Sequence, residues 1–431
     1  MEPPAVEKQV GMEVYLTSAP GSGGRLRLFP EDFVVEELSL PPPRVDDGRY
    51  VAIRAKIRNW ETNRLVREIA RSLGISRHRI GFAGTKDKRG IKVQFMTVLA
   101  SMEQLSRLSL GDFEVLEAYP TDRPLELGQL LGNRFDIVLR GAQAETAPKA
   151  LSAVTGELAA AGGFPNFFGI QRFGALRPVT HIAGERIVRG DLQGAVMAYL
   201  GGPMEAESEP TRAARSRLEM EMDFAAAAEY FPRQLGFERS MIHHLQAHPG
   251  DWAGALRQLP PNLLMMFVHA YQSALFNRIL SRRIRAGIPL SEPVEGDVVL
   301  PADGLGRPDH DHHILVEAHN LERVRQKVRS GKAHVSGVLF GSESSFASGP
   351  MGDIEREIIG REGLGPQDFL VPGLREASSK GTRRELLVRF PPGEPQITQE
   401  EDAIRFRFSL PRGCYATALL REYMKGEVLD Y

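Results

Sequence analysis

The stretch GFAGTKDKRG, residues 81–90, sets one carboxylate, Asp87, among Lys86, Lys88 and Arg89. Positive charge beside a carboxyl favours its ionised form. An ionised aspartate is available as a nucleophile or a base. The plain alternative is an Asx-turn aspartate that satisfies its own loop. The Gly-Thr-Lys sequence also invites a phosphate-loop reading, and that reading fails. Such a loop needs GxxxxGK[ST], with a helix starting at its end. Here two residues separate Gly81 from Gly84, Thr85 precedes Lys86, and a strand pattern follows. No helix N-terminus faces a phosphate. In this setting Gly81 and Gly84 are expected to give the loop room to turn.

Two further stretches could do chemistry. Asn166-Phe167-Phe168-Gly169 couples an amide to aromatic rings. An extruded base can be held in this way, the ring stacking and the amide bonding a base edge. Phe168 could equally be a core residue. The run DHDHH at 309–313 has metal-ligand types, but it sits in the Gly/Pro-rich segment PADGLGRPDHDHH. No regular element there fixes ligand directions, so a surface loop is expected. His243 and His244 read as structural. No nucleophile elbow and no dinucleotide fingerprint is visible, so neither cofactor nor metal is expected.

Cations surround the acid over a wider range. Residues 51–92 hold twelve Lys/Arg and three acids, a net +9, in a chain whose formal charge is −1. The plain reading is a solvated helix face. The cations, however, continue through strand, helix and loop, as a phosphate-binding surface would. Lys56, Arg58, Lys86, Lys88 and Arg89 are the candidate phosphate contacts.

With 431 residues, the chain exceeds what one core comfortably supports, so two or more domains are expected. Its 42% apolar and 25% charged content is that of a soluble globular protein. One cysteine, Cys414, excludes an internal disulfide and a Cys-based zinc site. MEPPAVEKQVGMEV has no apolar signal region, and LLMMFVHAY is too short to span a bilayer, so the cytoplasm is expected. No internal repeat is evident.

The elements that must position these residues follow from period and punctuation. RLRLFPEDFVVEEL, 25–38, reads as a strand, a Pro-marked corner and a second strand. YVAIRAKI, 50–57, alternates as a half-buried strand. Thr62 can cap a helix to Leu73, with Leu65, Val66, Ile69 and Leu73 as its stripe and Gly74 as its stop. IKVQFMTVL is the strand after the 81–90 loop. RFDIVLRG lies in another strand, and 148–162 is an Ala-rich helix. From 180 to 340 the chain reads as largely helical, with Tyr271, Leu275, Phe276 and Ile279 on one face of 269–287. Residues 341–383 read as irregular. ELLVRF and AIRFRFSL return to strands, and 414–425 is a last helix. β-rich ends around a helical middle make an α+β domain interrupted by an insertion.

At these residues the sequence resembles the TruD-type tRNA pseudouridine synthases, in their longer archaeal- and eukaryotic-like form. RLRLFPEDFVVEE is similar to the family's basic-xx-Pro-Glu-Asp-Phe-x-Val-x-Glu. KIRNWETN resembles its Lys-x-x-Asn-Trp-Asp-Thr segment, with Glu61 in place of an Asp. GFAGTKDKRG is like its Ala-Gly-x-Lys-Asp motif. PNFFGIQRFG, YQSALFN, SKGTRREL and YATALLREYM also look like family segments, so the resemblance covers nearly the whole chain. It implies a split catalytic domain with a mixed or antiparallel sheet, over 1–165 and 391–431. It also implies an inserted, mainly helical α+β domain over 166–390. The implied activity is isomerisation of uridine 13 of tRNA to pseudouridine, with Asp87 catalytic. Asn166 and Phe168 then line the uracil site, and Arg27, Glu31 and Arg384 support it. Arg27 stands where the family has a Lys, and Arg cannot lose its proton. Asp87 could attack C1′, add to C6 or take the C2′ proton. Arg383 or Arg384 could meet Asp87 or a phosphate. Rival readings are a non-catalytic tRNA-binding or chaperone protein and an NTP-dependent RNA enzyme.

Overall fold

Alternation along the Tyr50–Arg58 strand builds the sheet that carries the 81–90 loop. Val51, Ile53, Ala55 and Ile57 are buried, while Lys56 and Arg58 are exposed. The structure is a computed structural model that describes residues 1–431 except Asp87, Lys88, Ala144, Ala175 and Tyr431. The Thr62–Leu73 helix lays Leu65, Val66, Ile69 and Ala70 on the apolar face, with Ile80, Met96 and Val98 completing the cluster. Burying each larger side chain is worth roughly 1.5–3 kcal/mol. A 12-residue helix is marginal alone, so this cluster is what holds it. Its span is as expected and Gly74 ends it at φ 64°, but its cap is Glu61. The Glu61 carboxylate accepts from the amides of Asn63 at 2.8 Å and Arg64 at 2.9 Å.

Eight strands form the sheet. Seven lie side by side: Gln396–Gln399, Ala403–Pro411, Leu130–Arg140, Phe33–Ser39, Ile91–Val98, Tyr50–Arg58 and Phe113–Thr121. Ile80–Phe82 pairs with Ile91–Val98 off this path. Phe33–Ser39 and Ile91–Val98 run parallel, and the other pairs are antiparallel. Residues 25–29 are not the expected strand. Arg25 makes an isolated bridge to Arg140, Arg27 adopts φ 58°, and Pro30–Asp32 is a 3-10 turn. The Phe113–Thr121 strand had no sequence signal, because Glu114, Val115, Leu116 and Glu117 are all exposed on this edge.

Contacts divide the chain into two units. One comprises 19–156, 389–426 and 430–431, and holds the sheet. The other comprises 1–18, 157–388 and 427–429. Residues 1–18 and 157–165, assigned from sequence to the sheet domain, pack with the second unit.

That second unit is helical from Thr180 to Arg285, ending in the 25-residue Pro261–Arg285 helix. Tyr271, Leu275, Phe276 and Ile279 are buried there. Beyond it the expected helical run to 340 gives way to a sheet. Its antiparallel order is Thr382–Glu385, Ala333–Leu339, Val298–Pro301, Ile314–Leu315. Within 341–383, expected to be irregular, Gly349–Arg361 is a helix. Its buried Met351, Ile354, Ile358 and Ile359 supply an apolar stripe that the Gly/Ser/Pro count of the stretch hides. ELLVRF is split between Thr382–Glu385 and Leu387–Val388, the latter pairing with Phe164–Pro165.

A short repeat also escaped the sequence reading. GDLQGA at 190–195 and GDWAGA at 250–255 each turn one helix into the next. Asp191 Oδ1 accepts from Gly194 N, and Asp251 Oδ1 from Gly254 N, both at 2.8 Å. Among the described residues no helix is long and apolar enough to cross a membrane.

Candidate active site

The loop between Ile80–Phe82 and Ile91–Val98 is tied down on both flanks. Asp87 and Lys88 lie outside the described residues, so the anchors are Lys86 and Gly90. Lys86 N donates to Thr62 Oγ1 at 2.9 Å. Lys86 Nζ lies 3.1 Å from Glu37 Oε2, with the two side chains 8% and 0% exposed. Gly90 N donates to Asn59 Oδ1 at 3.2 Å, and Asn59 N to Gly90 O at 3.0 Å. Gly90 has φ 112°, and a Cβ on it would stand 2.5 Å from Phe33 O. This is the position where the loop needs glycine to turn. Gly81 and Gly84 do not have positive φ. Gly81 is instead needed for close approach, since a Cβ there would lie 2.3 Å from Leu125 O.

Lys86 was expected to hold RNA phosphates, and its ammonium is spent inside the protein. Lys92 is also internal, its Nζ donating to Trp60 O at 2.5 Å. Among the described residues, the exposed cations of 51–92 are Lys56, Arg58, Arg64, Arg67, Arg71, Arg77, Arg79 and Arg89. Arg58 forms an ion pair with Glu31. Arg27 lays its guanidinium 4.1 Å from the centroid of the Phe33 ring. A planar cation suits that stacking better than an ammonium does. Asp32 accepts from Phe29 N at 2.9 Å and pairs with Arg140, which fixes the turn carrying Glu31.

In the second unit the structure joins Asn166, Phe168 and Arg384. Arg384 Nη2 donates to Asn166 Oδ1 at 2.5 Å, and its guanidinium lies 4.1 Å from the Phe168 centroid. Asn166 Nδ2 donates to Glu385 O at 3.0 Å and Glu385 Oε1 at 2.9 Å. Asn277, on the Pro261–Arg285 helix, accepts from Phe168 N at 2.9 Å and donates to Phe168 O at 3.0 Å. The amide of Asn166 is therefore occupied on both atoms, and the Phe168 ring is 8% exposed. Glu385 was missed by sequence reasoning. Its only signal was its place directly after the Arg-Arg pair.

Strand alternation separates the two arginines. Arg383 is buried and bonded to Glu355 at 2.6 Å, Ser336 Oγ at 3.0 Å and Ser345 O at 3.1 Å. Its charge is structural. Beyond the aromatic loop, His181 meets Phe173 edge-on with ring centres 5.4 Å apart. Burial, with some repulsion from Arg278, pushes the His181 pKa down to about 4. The DHDHH side chains diverge. His310 bonds Arg383 O, His312 bonds Asp309, and His313 bonds His310 O. Among the described residues no three or more His, Cys, Asp or Glu are grouped to hold a metal ion.

The family model for tRNA pseudouridine synthase D (TruD) matches residues 9–423. The chain belongs to this family. It is thus classed with the isomerases that make pseudouridine. A Methanococcoides burtonii relative, named "Probable tRNA pseudouridine synthase D", is 42% identical over 99% of this chain and 98% of its own. A relative of the same name from Halobacterium salinarum is 40% identical over 98% of each chain. A crystal structure from Methanosarcina mazei, assigned to TruD, superposes with a TM-score of 0.85 at 39% identity, covering 100% of both chains.

Proposed function

We propose that this TruD-family protein isomerises a uridine of tRNA, at position 13, to pseudouridine, with Asp87 as the reacting carboxylate. The observation that carries the reading is a family match over residues 9–423 in a chain that retains GFAGTKDKRG. The reaction breaks the N1–C1′ bond, turns the detached uracil and rejoins it through C5. Nothing is oxidised and no group is lost, so the chemistry calls for neither a redox cofactor nor a nucleotide.

In this reading Phe168 stacks on the uracil, a contact worth about 1–3 kcal/mol per base. Arg384 and Asn166 hold that ring and its surroundings in register, and Glu31 and Arg27 support the carboxylate. Lys56, Arg58 and Arg89, with Lys88, bind phosphates. Their contacts offset the few kcal/mol that extruding the base costs and make binding salt-dependent. We assign catalysis to the sheet unit, 19–156 with 389–426, and the insertion to 157–388, with the protein working in the cytoplasm.

Tritium release from C5-labelled uridine in tRNA tests this, because rejoining through C5 frees that hydrogen. Wild-type protein releases tritium. Asp87→Asn binds tRNA but releases none. Binding without release by the wild type would mark a non-catalytic tRNA-binding protein. Release by Asp87→Asn would remove Asp87 from its role.

A further inference from the structure

We infer that Glu37 and Thr62 are positioning residues that fix Lys86, directly before Asp87, for reaction at that aspartate. Lys86 is their internal target and not a phosphate ligand. The inference rests on the reading of Asp87 given above.

Three separate sequence segments meet at this loop. Glu37 closes RLRLFPEDFVVEE, Asn59 and Thr62 belong to KIRNWETN, and both reach into GFAGTKDKRG. Residue 86, directly before the aspartate, is held twice. Its amide donates to Thr62 Oγ1 at 2.9 Å and its ammonium pairs with Glu37 at 3.1 Å. Residue 90, three positions after the aspartate, exchanges two hydrogen bonds with Asn59. The Glu37 side chain is 0% exposed, and its Oε1 has no hydrogen-bond partner among the described residues. Lys86 is thus its compensating cation among those residues. Two charges buried together hold each other in place, because separating them leaves an unpaired buried charge.

The same helix supplies the other anchor. Because Glu61 takes the capping position, Thr62 begins the helix and its hydroxyl is turned to the Lys86 backbone. The Thr62–Leu73 helix is itself seated on the apolar cluster. Lys86 and Gly90 are therefore referenced to the core of the sheet. Attack by a carboxylate depends on approach geometry, and a misplacement near 1 Å can cost on the order of 100-fold in rate.

The test separates rate from affinity. Single-turnover rates and tRNA Kd are measured on full-length wild type, Glu37→Gln, Lys86→Gln, Thr62→Val and Thr62→Ser, with Tm recorded for each. Glu37→Gln and Lys86→Gln are expected to slow turnover on the order of 10- to 100-fold, with tRNA Kd unchanged. Thr62→Val slows it too, and Thr62→Ser, which restores the hydroxyl, recovers most of the rate. A wild-type rate in Glu37→Gln overturns the inference. So does weaker tRNA binding with a shallower salt dependence in Lys86→Gln. If Glu37→Gln does not fold, the Thr62 pair decides, and a wild-type rate in Thr62→Val overturns the proposal. Asp87→Asn is run alongside. Activity there defeats the reading of Asp87 itself. An inactive Asp87→Asn beside fully active Glu37, Lys86 and Thr62 variants defeats only the positioning role.

Discussion

The ring of Phe168 is held by Arg384, 4.1 Å from its centroid, and by the edge of Phe276 at 5.6 Å. The ring is therefore buried, and a cation linked to Asn166 covers it. Replacing the ring by an aliphatic side chain separates a site role from a core role. Phe168→Leu loses ring volume and the Arg384 contact, so some stability is lost. It also removes the π-face, worth about 1–3 kcal/mol toward a stacked base. With the variant folded at the assay temperature, turnover should fall about 5- to 100-fold, and an unchanged kcat would make the ring purely structural. Residue types gave the candidates here but not their bonds. Asn166 was legible as an amide beside aromatics. Its occupation by Arg384 and Glu385 was not, because those partners lie more than 200 positions away in sequence. Lys86 was misread because its partner Glu37 lies in a different sequence segment. A lysine in a cationic run looks solvated until the buried Glu37 across the sheet is seen.

Elements with a clean period were legible nearly to the residue. The Tyr50–Arg58, Ile91–Val98 and Ala403–Pro411 strands and the Thr62–Leu73 helix all fall where alternation or an apolar stripe puts them. Failures came where burial is on one edge only, as in Phe113–Thr121, or where composition hides a stripe, as in Gly349–Arg361. Helix packing adds a constraint that no single-element pattern carries. Gly184, in the Thr180–Val188 helix, lies so close to the Pro261–Arg285 helix that a Cβ would stand 1.9 Å from Phe267 O. Backbone cannot yield as a side-chain tip can. Gly184→Ala should therefore destabilise by about 1–3 kcal/mol or more, read as a lower midpoint in thermal or urea unfolding. An unchanged midpoint would mean that the two helices separate freely.

Across the whole chain, β-rich ends around a helical middle were legible as an α+β fold with an insertion, and 157–388 does interrupt the sheet unit in sequence. The placement of residues 1–18 was not legible. Val10 and Met12 are buried, Asn277 Nδ2 donates to Val10 O, and Ser281 Oγ donates to Gly11 O. After the short Ala5–Gln9 helix, Val10 and Gly11 dock by single bonds, without a period to announce them. Acid stability is a property of the whole fold. His181 is held neutral, with its pKa lowered from 6.5 to about 4. Its stabilising effect is complete above the unfolded value of 6.5 and is lost as pH falls from there through about 4. The full loss is on the order of 3 kcal/mol. His181→Phe should therefore lose less Tm than wild type between these pH values, and parallel Tm curves would contradict this. The central claim, that the chain makes pseudouridine in tRNA through Asp87, is tested most directly by mapping pseudouridine in tRNA treated with wild type and with Asp87→Asn. The expected map shows pseudouridine at position 13 with wild type and none with Asp87→Asn. No new pseudouridine with wild type, or the same map from both proteins, would contradict it.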